Sequence, residues 1–202
     1  MRTALLLSLI ASAALASGAN AATLPVEISD PARVSISSDR EMCSAQAFLP
    51  WCSGGVQGSR EFSLADVEAI NRQYAGRVHY KRRTNLTWRS SFDSMPVSGL
   101  WRADCADLTL TTLDALSRAG FPTDRMWRMI VIPETRRNNP NEPSVLHMVG
   151  VVEIEGECWV VGDTNNLDRI YRLDQAEFVP SMVSKVSDGR YWTRTERKAI
   201  RA

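Results

Sequence analysis

The chain has almost no surplus of charge of either sign: 24 Lys plus Arg stand against 23 Asp plus Glu, a formal balance of +1. No global field therefore exists to gather nucleic acid or an anionic membrane surface, and any partner has to be held by a local site. Histidine is scarce, with two in the chain, so a catalytic imidazole can only be His79 or His147. Beyond the N-terminal segment no apolar run approaches the roughly 20 residues that a membrane span needs, and no internal repeat occurs. With 44% hydrophobic and 23% charged residues among 202, a disordered, collagen-like or coiled-coil chain is excluded and an ordinary globular domain is expected.

The N-terminal segment is of a different kind. Arg2 is the only charge before Glu27, an apolar run extends from Ala4 to Ala16, and small residues close it through Ala19-Asn20-Ala21-Ala22. A single cation, a short apolar core and a small-x-small cleavage site describe a secretory signal peptide. The expected organisation is a signal peptide at 1–22, an N-terminal extension at 23–60 and a main domain at 61–202. The mature chain, without a membrane span, is expected to be periplasmic or secreted.

Four cysteines in an oxidising compartment allow three full pairings. Cys43 and Cys52 bracket a short segment that Ser53-Gly54-Gly55 turns away from, and a bridge there would stabilise the fold by about 2 to 3 kcal/mol through loop entropy. Whether Cys105 and Cys158 then pair with each other stays open.

Residues 23–58 read as irregular, broken by Pro25, Pro31 and Pro50, with one short helix near Cys43. Ser63-Leu64-Ala65-Asp66 has the form of a capping box, and Leu64, Val67, Ile70 and Tyr74 follow at helical spacing, which predicts a helix over 63–75 ended by Gly76. Arg77, Lys81, Arg82, Arg83 and Arg89 form a basic patch interleaved with aromatics, but the balanced charge and the lack of any binding motif argue against nucleic acid as a partner. Asn85-Leu86-Thr87 fits a glycosylation sequon, a weak three-residue match. A second helix is expected after Asp104, carrying Leu108, Leu113, Leu116 and Ala119 and stopped by Gly120 and Pro122. Strands follow at Met126–Ile132, Val145–Ile154, Cys158–Gly162 and Arg169–Leu173, with a proline-rich loop over 133–143 that could narrow access to a site. Trp192 is expected to dock the C-terminus, with fraying beyond Arg194. Helices first and strands later give an α+β fold, a central helix packed on a mostly antiparallel sheet.

Three residues carry candidate chemistry. Cys105 falls at the start of a helix, where unpaired backbone N–H groups and the helix dipole favour a thiolate; the competing reading is a structural cysteine. His147 lies in an otherwise apolar strand, where an imidazole needs a partner; the competing reading is a core histidine bonded to backbone. His79 sits among cations, a poor setting for a general base. Asp163 ends the strand after the hairpin, where a turn-forming role competes with that of an orienting carboxylate. A three-residue loop at Glu155–Glu157 would pair Ile154 with Cys158 and His147 with Asn165, leaving Asp163 as a same-face diagonal neighbour of His147 at about 7 to 8 Å. A two-residue loop would turn Asp163 to the opposite face. Nucleophile, base and carboxylate would then form a Cys-His-Asp arrangement.

The run Asp104-Cys105-Ala106-Asp107, the helix ending at Ala119-Gly120, the His147 strand, Val161-Gly162-Asp163-Thr164-Asn165 and the late Phe178-Val179-Pro180 with Trp192 resemble the bacterial transglutaminase-like cysteine proteinases. Asn71 and the Cys43, Cys52 pair fit the same family, and the resemblance covers roughly residues 40–193. It implies a papain-like fold, a Cys105, His147, Asp163 triad, and a periplasmic protease of the type that trims large surface adhesins and so controls biofilm release. Some members depend on calcium. The family pattern Gly-Asp-Cys-Glu-Asp followed by an aromatic is altered here to Ala103, Ala106 and Leu108, and its Leu-Asp-Asn to Gly162-Asp163-Thr164. Calcium takes several oxygen ligands, so loss of the middle acid argues against a calcium site, and no cofactor is expected to be required. The expected activity is a cysteine peptidase acting on a protein or peptide, with a surface adhesin as the substrate the resemblance implies, the Cys105 backbone N–H as one oxyanion donor and no second donor assigned. The rival readings are an acyltransferase or amide cross-linker, and a non-catalytic exported binding module in which Cys105 and Cys158 are bridged.

Overall fold

The computed structural model describes residues 24–81, 88–133 and 146–196. The leader segment, the sequon, Arg82, Arg83 and most of the proline-rich loop lie outside the described residues. The expected α+β class is what the chain adopts. Strands β1 (Ile28–Ser35), β4 (Met126–Pro133), β5 (His147–Ile154), β6 (Glu157–Val161), β7 (Tyr171–Arg172), β8 (Phe178–Lys185) and β9 (Tyr191–Thr195) form one sheet in the order β1-β9-β8-β4-β5-β6-β7. Every pairing in it is antiparallel. Helices α1 (Ser37–Ala45), α2 (Pro50–Ser53), α3 (Leu64–Ala75) and α4 (Cys105–Arg118) accompany it, with a small parallel pair of β2 (Val78–Tyr80) and β3 (Trp101–Ala103).

Alternation along β4 shows how the sheet separates two cores. Met126 and Ile130 belong to the cluster that holds Leu110, Leu113 and Leu116 of α4, whereas Trp127, Met129 and Val131 pack with Val149, Val151, Leu173 and Phe178. A strand buried on both faces reads as a continuous apolar run, as Met126 to Ile132 does. Helix α4 is buried from Ala106 to Leu116, polar positions included. It can lie this close to the sheet because β5 carries Gly150 at the contact: a Cβ there would stand 2.9 Å from Val161 and 3.0 Å from Leu113.

The short helix expected near Cys43 is α1, and the rest of the segment before Gly58 is more regular than expected: it supplies the edge strand β1, where proline is tolerated, and the short helix α2 that begins at Pro50. Cys43 and Cys52 are disulfide-bonded. The fourth expected strand is reduced to the two residues of β7, and order extends past Arg194, since Thr195 is buried and the Glu196 N–H donates to the Glu27 carbonyl. Trp192 is fully buried.

A buried ion pair ties these parts together. Arg128 projects from the middle of β4 with no exposure and meets Asp39 of α1 at 2.5 Å. Its guanidinium stands over the rings of Trp51 and Trp192, 5.4 and 4.8 Å from their centroids, and donates to Ser184 Oγ and the Gly189 carbonyl. The Trp192 indole N–H donates to the other Asp39 oxygen at 2.8 Å. Burial lowers the pKa of Arg128, and Asp39 opposes that shift in part. Breaking such a pair from one side leaves an uncompensated charge in the core. Asp39→Ala should therefore lower unfolding stability by about 3 to 5 kcal/mol, and the double variant Asp39→Leu, Arg128→Met should recover most of that loss in urea titrations.

Candidate active site

Helix α4 begins at Cys105 because Asp104 caps it. The Asp104 carboxylate accepts the Asp107 N–H at 2.9 Å, and Asp107 reaches back to the Asp104 N–H. Two of the first-turn donors are satisfied this way, and Cys105 takes the first helical position with its thiol half-buried and unbridged. Cys158 is also free, so the Cys105–Cys158 bridge of the binding-module reading is not formed.

His147 opens β5 at the end of the sheet where α4 starts, and its side chain has neighbours on two sides. Nε2 lies 2.8 Å from Asp163 Oδ1, and the Cys105 side chain is close enough to the ring to raise its pKa. With Nε2 committed to a carboxylate, Nδ1 is the nitrogen left to face the sulfur. Asp163 is buried and its oxygens are crowded with donors. Oδ1 also accepts the Asn165 N–H at 2.8 Å, and Oδ2 accepts the Asn166 side-chain amide at 3.0 Å and the Tyr171 hydroxyl at 2.6 Å.

The route by which Asp163 arrives differs from the expected one. The hairpin loop has two residues, Glu155 and Gly156, both at positive φ (53° and 82°), and the register pairs Ile154 with Glu157 and Gly150 with Val161. Continued, that register would set Thr164 opposite His147 and turn Asp163 away. It is not continued. Gly162 has a φ of +64°, a left-handed conformation that ends the alternation one residue after the ladder. Its backbone lies against α4, where a Cβ would fall 2.7 Å from the Thr109 Cα. The Gly162 N–H donates to Asn71 Oδ1 at 2.8 Å, and Thr109 Oγ1 lies 3.0 Å from the carbonyls of both Gly162 and Met148. An isolated glycine in a strand pattern is the sequence signal for such a bend; the hairpin count concealed it.

Burial alone would discharge His147, but the hydrogen bond with Asp163, then the nearby Cys105, outweigh it and raise its pKa to about 9. Asp163 is the mirror case. Burial pushes it up, while His147 and then Tyr171 and Asn166 pull it down to about 2. Cys158 is held up at about 11, by burial and then by Glu153.

His79 is exposed on β2 and takes no part in this cluster. In the basic patch, Arg77 braces the carbonyls of Pro96 and Gly99, and Arg89 pairs with Asp107 at 3.7 Å. Asp104 Oδ1 thus accepts the Asp107 N–H, and the Asp107 oxygens face the Asp104 N–H and Arg89. Among the described residues, no group of three or more His, Cys, Asp or Glu side chains is placed to bind a metal ion. A cleft of about 510 Å³ is lined by His147, Asp163, Asn166, Arg169, Tyr171 and Glu177 among others; Cys105 does not line it.

Two outcomes follow from this geometry. Gly162→Ala should cost at least about 2 kcal/mol in denaturant unfolding, from the left-handed conformation and the collision with α4, and should abolish the raised His147 titration seen by NMR. The second concerns pH. A raised His147 contributes stability that is complete below its ordinary 6.5 and lost as pH climbs through about 9. A lowered Asp163 contributes stability that is complete above 3.8 and lost as pH falls through about 2. The pair's contribution is therefore whole between these limits, and Asp163→Asn should flatten the decline in stability that the native chain shows from pH 6.5 to 9.

No family model matches the chain, and no curated protein matches it. Among solved structures, it is similar to LapG of Legionella pneumophila at 17% identity and a TM-score of 0.48, over 63% of this chain and 66% of that one. It is similar to calcium-bound LapG of the same organism at 16% identity and a TM-score of 0.48, over 66% of this chain and 68% of that one.

Proposed function

We propose that the chain is a cysteine peptidase of papain-like type that cleaves a protein amide bond through an acyl-enzyme. The observation that carries this reading is the unbridged Cys105 at a helix start, beside an imidazole whose Nε2 is held by a buried carboxylate. The Cys105 thiolate attacks the carbonyl carbon and a C–S bond forms. The oxygen takes the charge and accepts from the Cys105 backbone N–H. The C–N bond then breaks, and the imidazolium gives its Nδ1 proton to the leaving amine. Neutral His147 next takes a proton from water as the water attacks the thioester, releasing a carboxylic acid and restoring the starting pair. Asp163 keeps the Nε2–H in place throughout. The chain's own residues carry every proton and electron pair in this scheme.

Export to the periplasm is part of the proposal, supported by the leader-like first 22 residues and by the Cys43–Cys52 bridge, which persists in an oxidising compartment. The family resemblance in the sequence suggests a surface adhesin as the substrate. The same acyl-enzyme could pass its acyl group to an amine instead of water, and the products separate the two outcomes.

Thiol titration of the secreted chain should find two free thiols. Iodoacetamide near neutral pH should label Cys105 and not Cys158, and Cys105→Ala should abolish that labelling without changing the near-UV spectrum. Cys105→Ala and His147→Ala should each lower hydrolysis of unfolded casein by at least about 10³-fold, as when a member of a catalytic unit is removed. Equal labelling in the Cys105→Ala variant, or unchanged hydrolysis in both, defeats the peptidase reading.

A further inference from the structure

Asp163 is the one member of the cluster with donors on every side, and one of them comes from an element with little else to do. Strand β7 is two residues long and forms the edge of the sheet. Its pairing of Tyr171 with Val160 of β6 fixes the phenol so that its hydroxyl donates to Asp163 Oδ2 at 2.6 Å, shorter than the 3.0 Å bond from Asn166 to the same oxygen. The ring of Tyr171 also forms part of the wall of the 510 Å³ cleft. A carboxylate beside an open cleft can turn about its χ2 angle and solvate itself with water; one whose second oxygen is held by a rigid phenol cannot do so without breaking a short hydrogen bond.

We propose that Tyr171 is a positioning residue of the active site: its hydroxyl fixes the rotation of the Asp163 carboxylate, so that Oδ1 stays aimed at His147 Nε2 while the aromatic ring keeps cleft water from Oδ2. The proposal rests on the reading of Cys105, His147 and Asp163 as a catalytic set. The other groups facing this carboxylate are His147 from β5, Arg169 from the loop that precedes β7 and, through the imidazole, Cys105 of α4; Tyr80 and Glu177 complete the charged or titratable lining of the cleft. Tyr171 is itself kept protonated, by burial and then by the Asp163 charge, so it acts as a donor across the working range of pH.

A merely structural tyrosine would affect stability alone, whereas a positioning one moves the titration of a residue it does not touch. The chain has two histidines, so the His147 ring is assignable by difference with His79→Gln, and its midpoint can be followed by NMR without any substrate. In Tyr171→Phe that midpoint should fall by at least about half a unit from its raised position, as a partner loses its fixed orientation. Peptide hydrolysis should lose about ten-fold in kcat at unchanged KM. Installing p-aminophenylalanine at position 171, which restores a donor of similar reach, should recover both. An unchanged or higher midpoint in Tyr171→Phe, or no recovery with the amino analogue, overturns the proposal. Should the Phe variant not fold, the native chain carries the test: the Tyr171 phenolic proton must be protected from exchange with water, and fast exchange overturns the proposal equally. Failure of iodoacetamide to label Cys105 would instead remove the peptidase reading and leave the midpoint result standing.

Discussion

The arrangement depends on a close approach between two backbones. Gly162 lies against α4 at Thr109 with no room for a side chain, and this contact brings the end of β6 to the start of the helix that carries Cys105. Hydrogen bonds secure it from both sides: Asn71 of α3 takes the Gly162 N–H, and Thr109 faces the carbonyls of Gly162 and Met148. A buried backbone group that leaves a ladder must find another partner, and here the partners come from the two helices packed behind the site. The left-handed turn therefore serves two ends, ending the strand and joining the sheet to α3 and α4 at the point where Asp163 departs.

Once Asp163 is delivered, electrostatics and geometry reinforce each other. A lone buried imidazole would shed its proton and a lone buried carboxylate would take one up. Together, with the sulfur beyond the ring and donors behind the carboxylate, each keeps the charge that burial opposes. The donors behind Asp163 come from its own turn, through Asn165 and Asn166, and from β7 through Tyr171. The short Asp163-Thr164-Asn165-Asn166 segment is a turn built on an aspartate, and the same carboxylate hydrogen-bonds His147.

What could be read from the sequence was whatever local chemistry dictates. The start of α3 announced itself through its capping residues, Ser63 with Asp66, and the apolar run at Met126 marked the central strand. The candidate residues of the site stood out because cysteine at a helix start and histidine in an apolar strand each incur a cost that asks for a partner. What could not be read depends on distant partners. The edge strand β1 exists through β9, at the other end of the chain, and Arg128, a cation within a core strand, is stabilised by Asp39 and two tryptophans far from it in sequence. Tyr171 looks like an ordinary strand aromatic until the turn at Gly162 places Asp163 before it. The loop count went wrong for a related reason: Glu155 adopts the positive φ that a two-residue hairpin demands of a residue with a side chain, so glycine at only one of the two positions understated the tightness of the turn.

The two free cysteines show how far one residue type can be divided by its surroundings. Cys158 lies opposite Glu153 in the hairpin, and that glutamate is six positions along β5 from His147, a separation of about 20 Å at the rise of an extended strand. A cysteine whose sulfur lies beside His147 cannot also come within the 4.4 to 6.8 Å between α-carbons that a disulfide requires, so the strand itself keeps the two thiols apart. Burial beside a carboxylate then holds Cys158 as a neutral thiol, a small apolar side chain among its neighbours. Cys105 lies instead at the first position of α4, beside the His147 ring. In an oxidising compartment a chain with an even number of cysteines tends towards full pairing; this one bridges Cys43 to Cys52 and uses the length of β5 to keep the sulfur at the helix start available.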